Sequence, residues 1–589
     1  MSFLAGAVKL NGQPLGGDER AHFLKALDRV APLLPRPPAA LSKPSWLLAQ
    51  AGDGRLWQGP LLLSNADLDA AAAGIQWRRL GEAETALGAL ARGLLGPEPK
   101  APEAFDGFSC ALFPQAAGHP TLAVDPVGLF PLCYAVRGGT LLFSSHQTLL
   151  RALLGPDAGP DIQAALEFLV AGHPLGDKTL LEGVCMLPPG TRLVCRDGGV
   201  HLSSYAKPWS ASGPPALASA ADLLHERLVH KRDRYARLSG DPVIGFLSGG
   251  WDSRLLVALF AEAGRISHTL TTRQKVRFGG RFVSEERIAA EVAALLHVEN
   301  RFVAPRYRDP SNLHRRSALL DCATWFHDWS FAMAEEVPEG RFLMLDGLLG
   351  DILLRALFLD DELATAQEAG DRSALCRILH RRFVRGFNPY TPGLDAWSAV
   401  LRPEILQSFS DRLRESLEDE ICGIDHPEAA TLFFLQNRSR RAIAPLPRLV
   451  FGRKGDVHLP FCDPGFVRAA LSLPLGARRD GSVYRDLLDR ARPGLAAIPS
   501  TNEKDPARMA PFLTPTLPRD TLRGRAERRE ARLRELCRRP PAVFASLLRP
   551  EIRQALAGGS LDAVDPHLLL LEKVLMLEGF FGEFWKESD

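Results

Sequence analysis

The sequence predicts a two-domain α/β protein whose larger, second domain contains a doubly wound parallel sheet. Three observations support this prediction. The first two hundred residues form short apolar runs bounded by Gly, Pro and Asp. A Pro/Ser/Gly-rich stretch follows at 207–215 and is typical of an interdomain linker. Buried strands then alternate with long helices, as in a doubly wound sheet. The predicted domains are residues 1–208 and 217–589.

The first domain is predicted to be rich in β-strands. Apolar runs between turn residues predict strands at 46–49, 121–124, 140–143 and 192–195. Helical patterns lie between them at 82–95 and 162–171.

The second domain begins with an amphipathic helix at 220–238 and a continuous apolar strand at 243–247. Helices are predicted at 253–263 and 284–296, and strands at 266–271, 301–303 and 342–345. The chain beyond these elements is predicted to be mainly helical.

Composition limits the possible functions of the chain. Its 589 residues include 71 Lys+Arg and 69 Asp+Glu, giving a net charge of +2, and 46% of them are hydrophobic. Such an apolar content offsets the entropy of ordering, which excludes a mainly disordered chain. The near-neutral total offers no overall drive for counterion release, so we expect no nucleic-acid partner.

The cysteines and the N-terminus indicate a cytoplasmic protein. The nine cysteines are scattered and form no CxxC pair, which predicts small buried side chains in a reducing compartment, without a zinc site or disulfides. The N-terminus lacks a basic, signal-like start. The longest uncharged stretch, 107–124, is interrupted by Pro and polar residues, so no membrane span is expected.

The segment 519–539 contains nine arginines and four acidic residues. Its pattern favours a solvated helix face with internal salt bridges, and a docking surface for an acidic partner is the alternative.

The main chemical motif lies directly after the strand at 243–247. It reads Ser248-Gly249-Gly250-Trp251-Asp252-Ser253 and precedes a helix. The glycines permit close approach of a ligand, and a helix N-terminus offers unpaired N–H groups to an anion. The serines add hydroxyl donors, and Asp252 is suited to hold a divalent cation against phosphates. The motif therefore predicts a phosphate site, with a plain strand-to-helix turn as the alternative.

This motif resembles the pyrophosphate loop of ATP pyrophosphatases, and the flanking segments resemble the class B asparagine-synthetase superfamily. Six further segments match in order, namely 124–134 (VDPVGLFPLCY), 143–145 (FSS), 187–190 (LPPG), 284–293 (SEERIAAEVA), 347–352 (GLLGDI) and 460–463 (PFCD). The resemblance implies an N-terminal glutaminase-like αββα domain of the N-terminal-nucleophile type. It implies a C-terminal ATP-pyrophosphatase domain with a doubly wound parallel sheet and extra helices.

Two departures from the family pattern narrow the expected reaction. Relatives that release ammonia from glutamine have a cysteine directly after Met1, whereas this chain has Ser2 and no cysteine before Cys110. The interpretation is a degenerate glutaminase domain kept as scaffold, although a serine nucleophile stays open. Leu348 stands where relatives carry an ionisable residue in "GEGSDE", which argues against asparagine synthesis and against a β-lactam-synthetase type of dyad.

The resemblance also implies individual site residues. Asp252 and Asp351 are the candidate Mg²⁺ ligands and, with Lys504, the catalytic candidates. Lys504 is near the family's late phosphate-binding lysine, and a solvated surface lysine is the alternative. Residues implied in ATP binding are Leu247, Ser248, Gly249, Gly250, Asp252, Ser253, Leu270 and Gly347. Aromatic residues at 325–331 would suit a peptide substrate, although most are expected to belong to the core.

The resulting functional hypothesis is a lasso-peptide cyclase, an AMP- and pyrophosphate-forming ligase that uses ATP and Mg²⁺. It would adenylate an Asp or Glu side chain of a core peptide, whose α-amine then closes a macrolactam ring. Expected partners are the precursor or core peptide, and in addition a leader-binding protein and a leader protease. The alternatives are an ammonia-dependent amidotransferase, a β-lactam-synthetase-like small-molecule cyclase and a non-catalytic descendant.

Overall fold

A computed structural model describes most of the chain. The described residues are 3–31, 38–51, 62–64, 68–76, 86–100, 105–115, 118–155, 158–206, 217–238, 240–273, 275–278, 281–304, 313–323, 329–338, 342–388, 391–501, 503, 505–514 and 519–581.

Among the described residues, two six-stranded antiparallel sheets and four helices form the N-terminal domain. The strands are β1 (Phe3–Lys9), β2 (Ala39–Lys43), β3 (Trp46–Ala51), β4 (Leu62–Ser64), β5 (Leu68–Gln76), β6 (Phe105–Pro114), β7 (Thr121–Val124), β8 (Cys133–Arg137), β9 (Thr140–Ser144), β10 (Cys185–Met186), β11 (Thr191–Arg196) and β12 (Gly199–Ser204). The helices are α1 (Gly17–Val30), α2 (Ala86–Leu95), α3 (Gln147–Leu154) and α4 (Ile162–Ala171). The strand orders are β10-β8-β9-β1-β3-β2 and β12-β11-β7-β6-β5-β4.

The two sheets are stacked between helices because their strands are apolar on both faces. Along β1, Phe3, Ala5 and Ala7 contribute to the core shared with α1 and α3. The alternate residues Leu4 and Val8 contribute to a separate core with apolar residues of the second sheet. Helix α2 packs with the other face of that sheet. The order of the layers in this domain is helix, sheet, sheet, helix.

In the part of the C-terminal domain that the structure describes, a five-stranded parallel sheet forms the centre and two small sheets are added to it. Its strands are β13 (Val243–Phe246), β14 (Ile266–Thr272), β15 (Lys275–Phe278), β16 (Arg281–Ser284), β17 (Asn300–Val303), β18 (Leu343–Leu345), β19 (Gly386–Asn388), β20 (Thr391–Pro392), β21 (Asp456–His458) and β22 (Leu513–Thr514). The parallel sheet has the order β17-β14-β13-β18-β21. The chain therefore winds outward from β13 in one direction and then from β18 in the other, which is the predicted doubly wound topology.

Helices account for most of the remaining C-terminal domain. The α-helices are α5 (Leu217–Leu238), α6 (Trp251–Glu262), α7 (Glu285–Leu296), α8 (Leu313–Leu319), α9 (Trp329–Glu335), α10 (Gly350–Arg355), α11 (Asp361–Glu368), α12 (Arg372–Arg385), α13 (Leu394–Trp397), α14 (Pro403–Cys422), α15 (Ala429–Phe433), α16 (Pro464–Leu471), α17 (Leu475–Arg479), α18 (Ser482–Ala491), α19 (Pro506–Met509), α20 (Arg519–Arg538), α21 (Pro550–Ala557), α22 (Leu561–Val564) and α23 (Leu568–Phe581). Two π-helical segments follow α15, Phe434–Ile443 and Leu446–Val450. Short 3₁₀ segments are Phe451–Arg453, Pro460–Cys462, Ala510–Phe512, Ala545–Leu547 and Asp565–His567.

The predicted elements agree with the structure to within a few residues. Helix α6 begins at Trp251, two residues before the predicted start, because Gly250 takes the N-cap position and places Asp252 in the first turn. The predicted helix 82–95 is observed from residue 86, and residues 82–85 lie outside the described ranges. The sequence reasoning missed strand β21, whose three residues are too short to show a period.

The two domains are joined by buried cations that bind backbone carbonyls. Arg440 donates to the carbonyl oxygens of Gly128 (3.1 Å) and Leu187 (2.6 Å). Lys573 of α23 donates to the carbonyl of Leu169 in α4 (3.1 Å). The DPVG and LPPG segments of the N-terminal domain therefore lie against the first π-helical segment. The predicted linker 207–215 lies outside the described residues.

Three further predictions concern the cysteines, the membrane and the basic segment. All nine cysteines are free thiols, and six are buried. No helix in the described ranges is long and apolar enough to cross a bilayer. Within α20, described arginines form ion pairs, including Arg534 with Glu530 and Arg538 with Glu535 (both 2.6 Å). These contacts fit the predicted salt-bridged helix face.

Candidate active site

The candidate site lies at the point where the parallel sheet reverses its winding direction. The loop 247–250 follows β13, and the segment 346–349 follows the adjacent strand β18. The carboxyl ends of neighbouring parallel strands with divergent connections leave a crevice, which is where open α/β sheets bind ligands. The fold therefore brings the SGGWDS loop and the GLLGDI segment together.

The loop after β13 is held in shape by its two serines. The N–H of Ser248 donates to Oγ of Ser253 (3.0 Å), and the two hydroxyl oxygens are also 3.0 Å apart. The N–H of Gly250 donates to Oγ of Ser248 (3.1 Å). A Cβ at Gly249 would lie 2.4 Å from Cγ2 of Thr501, so this position requires glycine. The loop lies at the N-terminus of the twelve-residue helix α6, and its own side chains hold it in shape.

Arg254 connects this loop to a distant part of the chain. Its buried guanidinium donates to the carbonyls of Gly249 (3.1 Å) and Gly250 (3.0 Å). It also donates to Ile498 O (2.6 Å) and Pro499 O (3.0 Å). Burial lowers the pKa of Arg254 to about 10, which leaves it charged at neutral pH. The segment beside the predicted phosphate-binding residue Lys504 is thereby attached to the loop, although Lys504 itself lies outside the described residues.

The two predicted metal ligands meet although they are 99 residues apart. The Asp351 N–H donates to Oδ2 of Asp252 (3.1 Å), and the Tyr484 hydroxyl donates to Oδ1. Burial, and then repulsion from Asp351, raise the pKa of Asp252 well above its usual range. Burial also raises the pKa of Asp351, against the opposing effect of Arg355. Two like charges held in a buried site form an environment that a cation would stabilise.

The glycines of the GLLGDI segment permit this close approach. A Cβ at Gly347 would lie 2.7 Å from Cβ of Asp252, and one at Gly350 would lie 2.5 Å from its Cγ. Leu349 has φ of +77°, which is unfavourable for a leucine. The segment therefore contains backbone strain directly beside the carboxylate pair.

The donor set fits Mg²⁺ bound together with phosphates. No cluster of three or more His, Cys, Asp and Glu side chains suited to a metal occurs among the described residues. Mg²⁺ in nucleotide sites is commonly held by one or two carboxylates, with phosphate oxygens and waters as the other ligands. Asp252 and Asp351 would supply those carboxylates.

A cavity of about 270 Å³ opens beside the carboxylate pair. Its polar lining includes Asp252, Asp346, Asp351 and Arg438, and its apolar lining includes Leu348. The remaining lining residues are Trp329, Gly347, Leu349, Ile352, Leu357, Phe358, Ser439, Ile443, Leu446, Pro447 and Phe451. The cavity thus joins the metal-type centre to an aromatic and apolar chamber, an arrangement suited to a substrate with one reactive polar group.

Asp346 is a further carboxylate of this cavity. Its Oδ1 accepts the N–H of Leu348 (2.8 Å), and Oδ2 has no hydrogen-bond partner among the described residues. Burial raises the pKa of Asp346 to about 6. A carboxyl with such a pKa can exchange a proton near neutral pH.

Glu285 lies on the other side of the loop, at the start of α7. Its carboxylate accepts the backbone N–H of Gly249, and burial nevertheless raises its pKa to about 7. Gly249 N–H is one of the groups predicted to bind phosphate, so Glu285 occupies a donor of the predicted pyrophosphate site.

Only some of the predicted adenosine contacts and aromatic residues line the cavity. Gly347 lines the cavity, whereas Leu247, directly after β13, and Leu270, in β14, do not. The Leu247 N–H donates to Leu270 O (2.9 Å), and Thr271 Oγ1 donates to Leu247 O (2.7 Å). Among the aromatics, Trp329 lines the cavity. Ser2 and residues 325–327 lie outside the described ranges.

Several site residues were missed by the sequence reasoning. They are Arg254, Glu285 as a loop contact, Asp346, Arg438 and Tyr484. Asp346 had a usable signal, since it is a polar residue directly after a buried strand that ends at the same sheet edge as Ser248. Tyr484 and Arg438 lie in helical segments far along the chain and had no such signal.

Comparison with known families agrees with this geometry. The profile described as asparagine synthase matches residues 234–563, which is more than half of the chain. The chain belongs to the asparagine synthase family. The profile of a glutamine amidotransferase domain matches residues 68–206, within the predicted N-terminal domain. Members of the asparagine synthase family are ATP-dependent amide-forming ligases, typically with Mg²⁺, and the combined domains are those of an amidotransferase-like ligase.

Other comparisons add little to the family assignment. No curated protein matches the chain significantly. Glutamine phosphoribosylpyrophosphate amidotransferase from B. subtilis, complexed with ADP and GMP, is 11% identical over 59% of this chain and 75% of its own, with a TM-score of 0.22. A structure described as the allosteric regulatory enzyme of purine biosynthesis is 12% identical over 63% and 78%, also with a TM-score of 0.22. These scores support no inference about this chain.

Proposed function

We propose that this asparagine synthase family member is a lasso-peptide cyclase. It adenylates the side-chain carboxylate of an Asp or Glu in a core peptide and joins the acyl group to the α-amine of the same peptide. Its expected partners are the precursor or core peptide and, in addition, a leader-binding protein and a leader protease.

The observation that carries the proposal is Leu348 in the wall of the cavity beside Asp252 and Asp351. Relatives carry an ionisable residue at this position, and a leucine cannot accept a proton. A peptide α-amine has a pKa of about 8 and is partly neutral near pH 7. Such an amine needs less activation than the ammonium ion or a more basic side-chain amine, so it can react without an ionisable group at position 348, which favours an internal peptide nucleophile.

The proposed reaction has two steps. In the first, a carboxylate oxygen of the peptide attacks the α-phosphorus of ATP, the bond from that phosphorus to the bridging oxygen breaks, and pyrophosphate leaves. The N-terminus of α6, directly after the loop 247–250, would bind the departing anion. Mg²⁺, when bound, neutralises charge on the phosphates. In the second step the amine nitrogen attacks the acyl carbon, AMP leaves, and the amide is complete once the nitrogen loses a proton.

We propose Asp346 as the acceptor of that proton. It lines the same cavity as the carboxylate pair, and its Oδ2 has no hydrogen-bond partner among the described residues. Its pKa, raised by burial to about 6, leaves it mostly ionised at neutral pH and able to take a proton from the attacking amine.

A peptide with a blocked amine tests the proposal. An N-acetylated core peptide keeps its carboxylate, so with enzyme, ATP and Mg²⁺ it should still support ATP–pyrophosphate exchange without ring closure. The free peptide should lose the mass of one water. Added ammonium should change little, because a tethered amine has an effective molarity on the order of 10⁵ M or more. If ammonium instead gives a linear side-chain amide at a comparable rate, the cyclase proposal is wrong and the protein is an amidotransferase.

The size of the cavity favours a second candidate. A volume of about 270 Å³ is close to the lower end of small-ligand pockets and would hold a small acid without any peptide. An ammonia-dependent amidotransferase or a small-molecule cyclase would use such a pocket. Pyrophosphate exchange with small acids, together with none for acid-containing peptides, would favour this candidate.

A further inference from the structure

Arg438 occupies an unusual position in the wall of the cavity. It belongs to the π-helical segment Phe434–Ile443, and its guanidinium carbon lies 4.2 Å from the centroid of the Phe358 ring. Both residues line the cavity that also contains Asp252 and Asp351. Runs of π-helix are rare and are frequently found at functional sites.

The neighbouring arginines have a different role. Arg440 and Arg441 in the same segment, and Arg448 in the next one, donate to backbone carbonyls of the N-terminal domain. These three side chains border a second, much smaller cavity of about 30 Å³ between the domains. The π-helical segments therefore place three arginines at the domain interface and Arg438 in the opposite cavity.

Arg438 has no hydrogen bond or ion pair with the described residues. Burial lowers its pKa to about 10, opposed by the charge of Asp351, so the side chain is cationic at neutral pH. The structure thus holds a desolvated, planar cation on an aromatic ring, with its donors left available. An ionised carboxylate is the group that such a fork of donors binds in two parallel hydrogen bonds.

We propose that Arg438 binds the substrate carboxylate that is to be activated. This inference rests on the proposed function, because it places the substrate's Asp or Glu side chain at the end of the cavity where Arg438 lies. The Phe358 ring lies against the guanidinium, and the bound carboxylate would then lie in the same cavity as the carboxylate pair of the ATP site. Charge selection would occur before adenylation: an acid enters this pocket, and the isosteric amide does not.

The test compares two small probes that differ only in charge. N-acetyl-L-glutamate α-amide and the neutral N-acetyl-L-glutamine α-amide are titrated against the full-length protein with excess MgCl₂ by ligand-observed NMR. The wild type should bind the acid at least about tenfold more tightly than the amide. In Arg438→Gln this ratio should fall to about one, with amide binding unchanged. Arg438→Lys, which keeps the charge and loses the fork, should give an intermediate ratio.

Arg151→Gln is the matched control. Arg151 also lies over a phenylalanine ring, with its guanidinium carbon 5.3 Å from the Phe581 centroid, and it belongs to α3 of the N-terminal domain, outside the cavity lining. Its acid-to-amide ratio should equal that of the wild type. Equal binding of both probes by the wild type would overturn the inference, as would an unchanged ratio in a folded Arg438→Gln. If a separate ATP titration shows weaker binding in Arg438→Gln while the acid-to-amide ratio is unchanged, Arg438 binds the phosphates instead.

The two proposals fail separately in this design. The titration contains no ATP, so charge selection at Arg438 is measured whether or not adenylation occurs. If a peptide supports pyrophosphate exchange while Arg438→Gln leaves its KM unchanged, only the carboxylate-binding role is lost. If charge selection holds and no acid supports exchange, only the proposed ligase reaction is lost.

Discussion

The Tyr484 hydroxyl donates a hydrogen bond to Oδ1 of Asp252, and thereby joins helix α18 to the first turn of α6. The Asp351 N–H binds the other oxygen of the same carboxylate (3.1 Å). The Trp251 ring packs edge-on against Tyr484, with centroids 5.4 Å apart. The carboxylate at the centre of the candidate site is therefore oriented from two sides.

Tyr484→Phe should slow adenylation without unfolding the protein. The hydrogen bond from Tyr484 lowers the pKa of Asp252, against burial and the repulsion from Asp351. Its loss should raise that pKa further, so the acid limb of the pH profile for pyrophosphate exchange should move to higher pH. We expect a roughly tenfold lower rate at pH 7, equivalent to about 1.4 kcal/mol. Tyr134→Phe, in the N-terminal domain, is the control, and an unchanged profile in Tyr484→Phe would contradict this role.

Asp252→Asn should abolish adenylation and leave the fold intact. The substitution keeps the size of the side chain and removes one metal-directed charge from a buried pair. Because it also removes repulsion between Asp252 and Asp351, the melting temperature should stay equal or rise. ATP–pyrophosphate exchange with a carboxylate substrate and thermal unfolding measure the two effects. Exchange at the wild-type rate would show that Asp252 holds no metal.

The pairing of Asp252 with Asp351 could be anticipated from the sequence because each follows a buried strand of the same parallel sheet. Carboxyl ends of neighbouring strands meet at one edge, so local patterns are sufficient to place both residues there. The strands of the parallel sheet, the loop after β13 and helix α6 could be predicted for the same reason, since each depends on a local run of residues.

The contacts of Tyr484 and Arg254 could not be anticipated in this way. Tyr484 reaches Asp252 across 232 residues, and this contact depends on how α18 packs against α6. Arg254 binds carbonyls at 495–499, which have no side-chain signature. Strand β21 was missed because three residues show no periodicity. Long-range packing determines all three features.

Glu285→Gln should change the pH dependence of stability. The folded-state pKa of Glu285 is raised by burial from 4.5 to about 7, so its proton is bound more tightly in the folded state. The wild type therefore loses stability as the pH rises from about 4.5 to 7, by about 1 to 3 kcal/mol. Glutamine resembles the protonated form, so the variant should match the wild type at pH 5 and exceed it at pH 8. Urea unfolding at both pH values measures this, and parallel curves would contradict it.

Ser2→Ala should leave synthetase turnover almost unchanged, because the N-terminal domain is interpreted as having lost its nucleophile. Glutamate release from glutamine by the native protein is the direct measurement, and we expect none above background. If the native protein releases glutamate and Ser2→Ala does not, Ser2 is a nucleophile and the protein is a glutamine-dependent amidotransferase.

Asp346→Asn should separate the two steps of the proposed reaction. The amide keeps the shape of the side chain and, through Oδ1, the hydrogen bond from the Leu348 N–H (2.8 Å), but it cannot accept a proton from the amine. Pyrophosphate exchange should therefore remain within about threefold of the wild type, whereas ring closure should fall by about 10² to 10⁴. In the wild type, ring closure should rise with pH through the Asp346 pKa of about 6, and this limb should be absent in the variant. Hydroxylamine, which is largely neutral at pH 7, should trap the acyl-adenylate equally well in both proteins. Equal ring closure by the two proteins would assign proton transfer to another group, and equal losses in exchange and ring closure would give Asp346 a structural role.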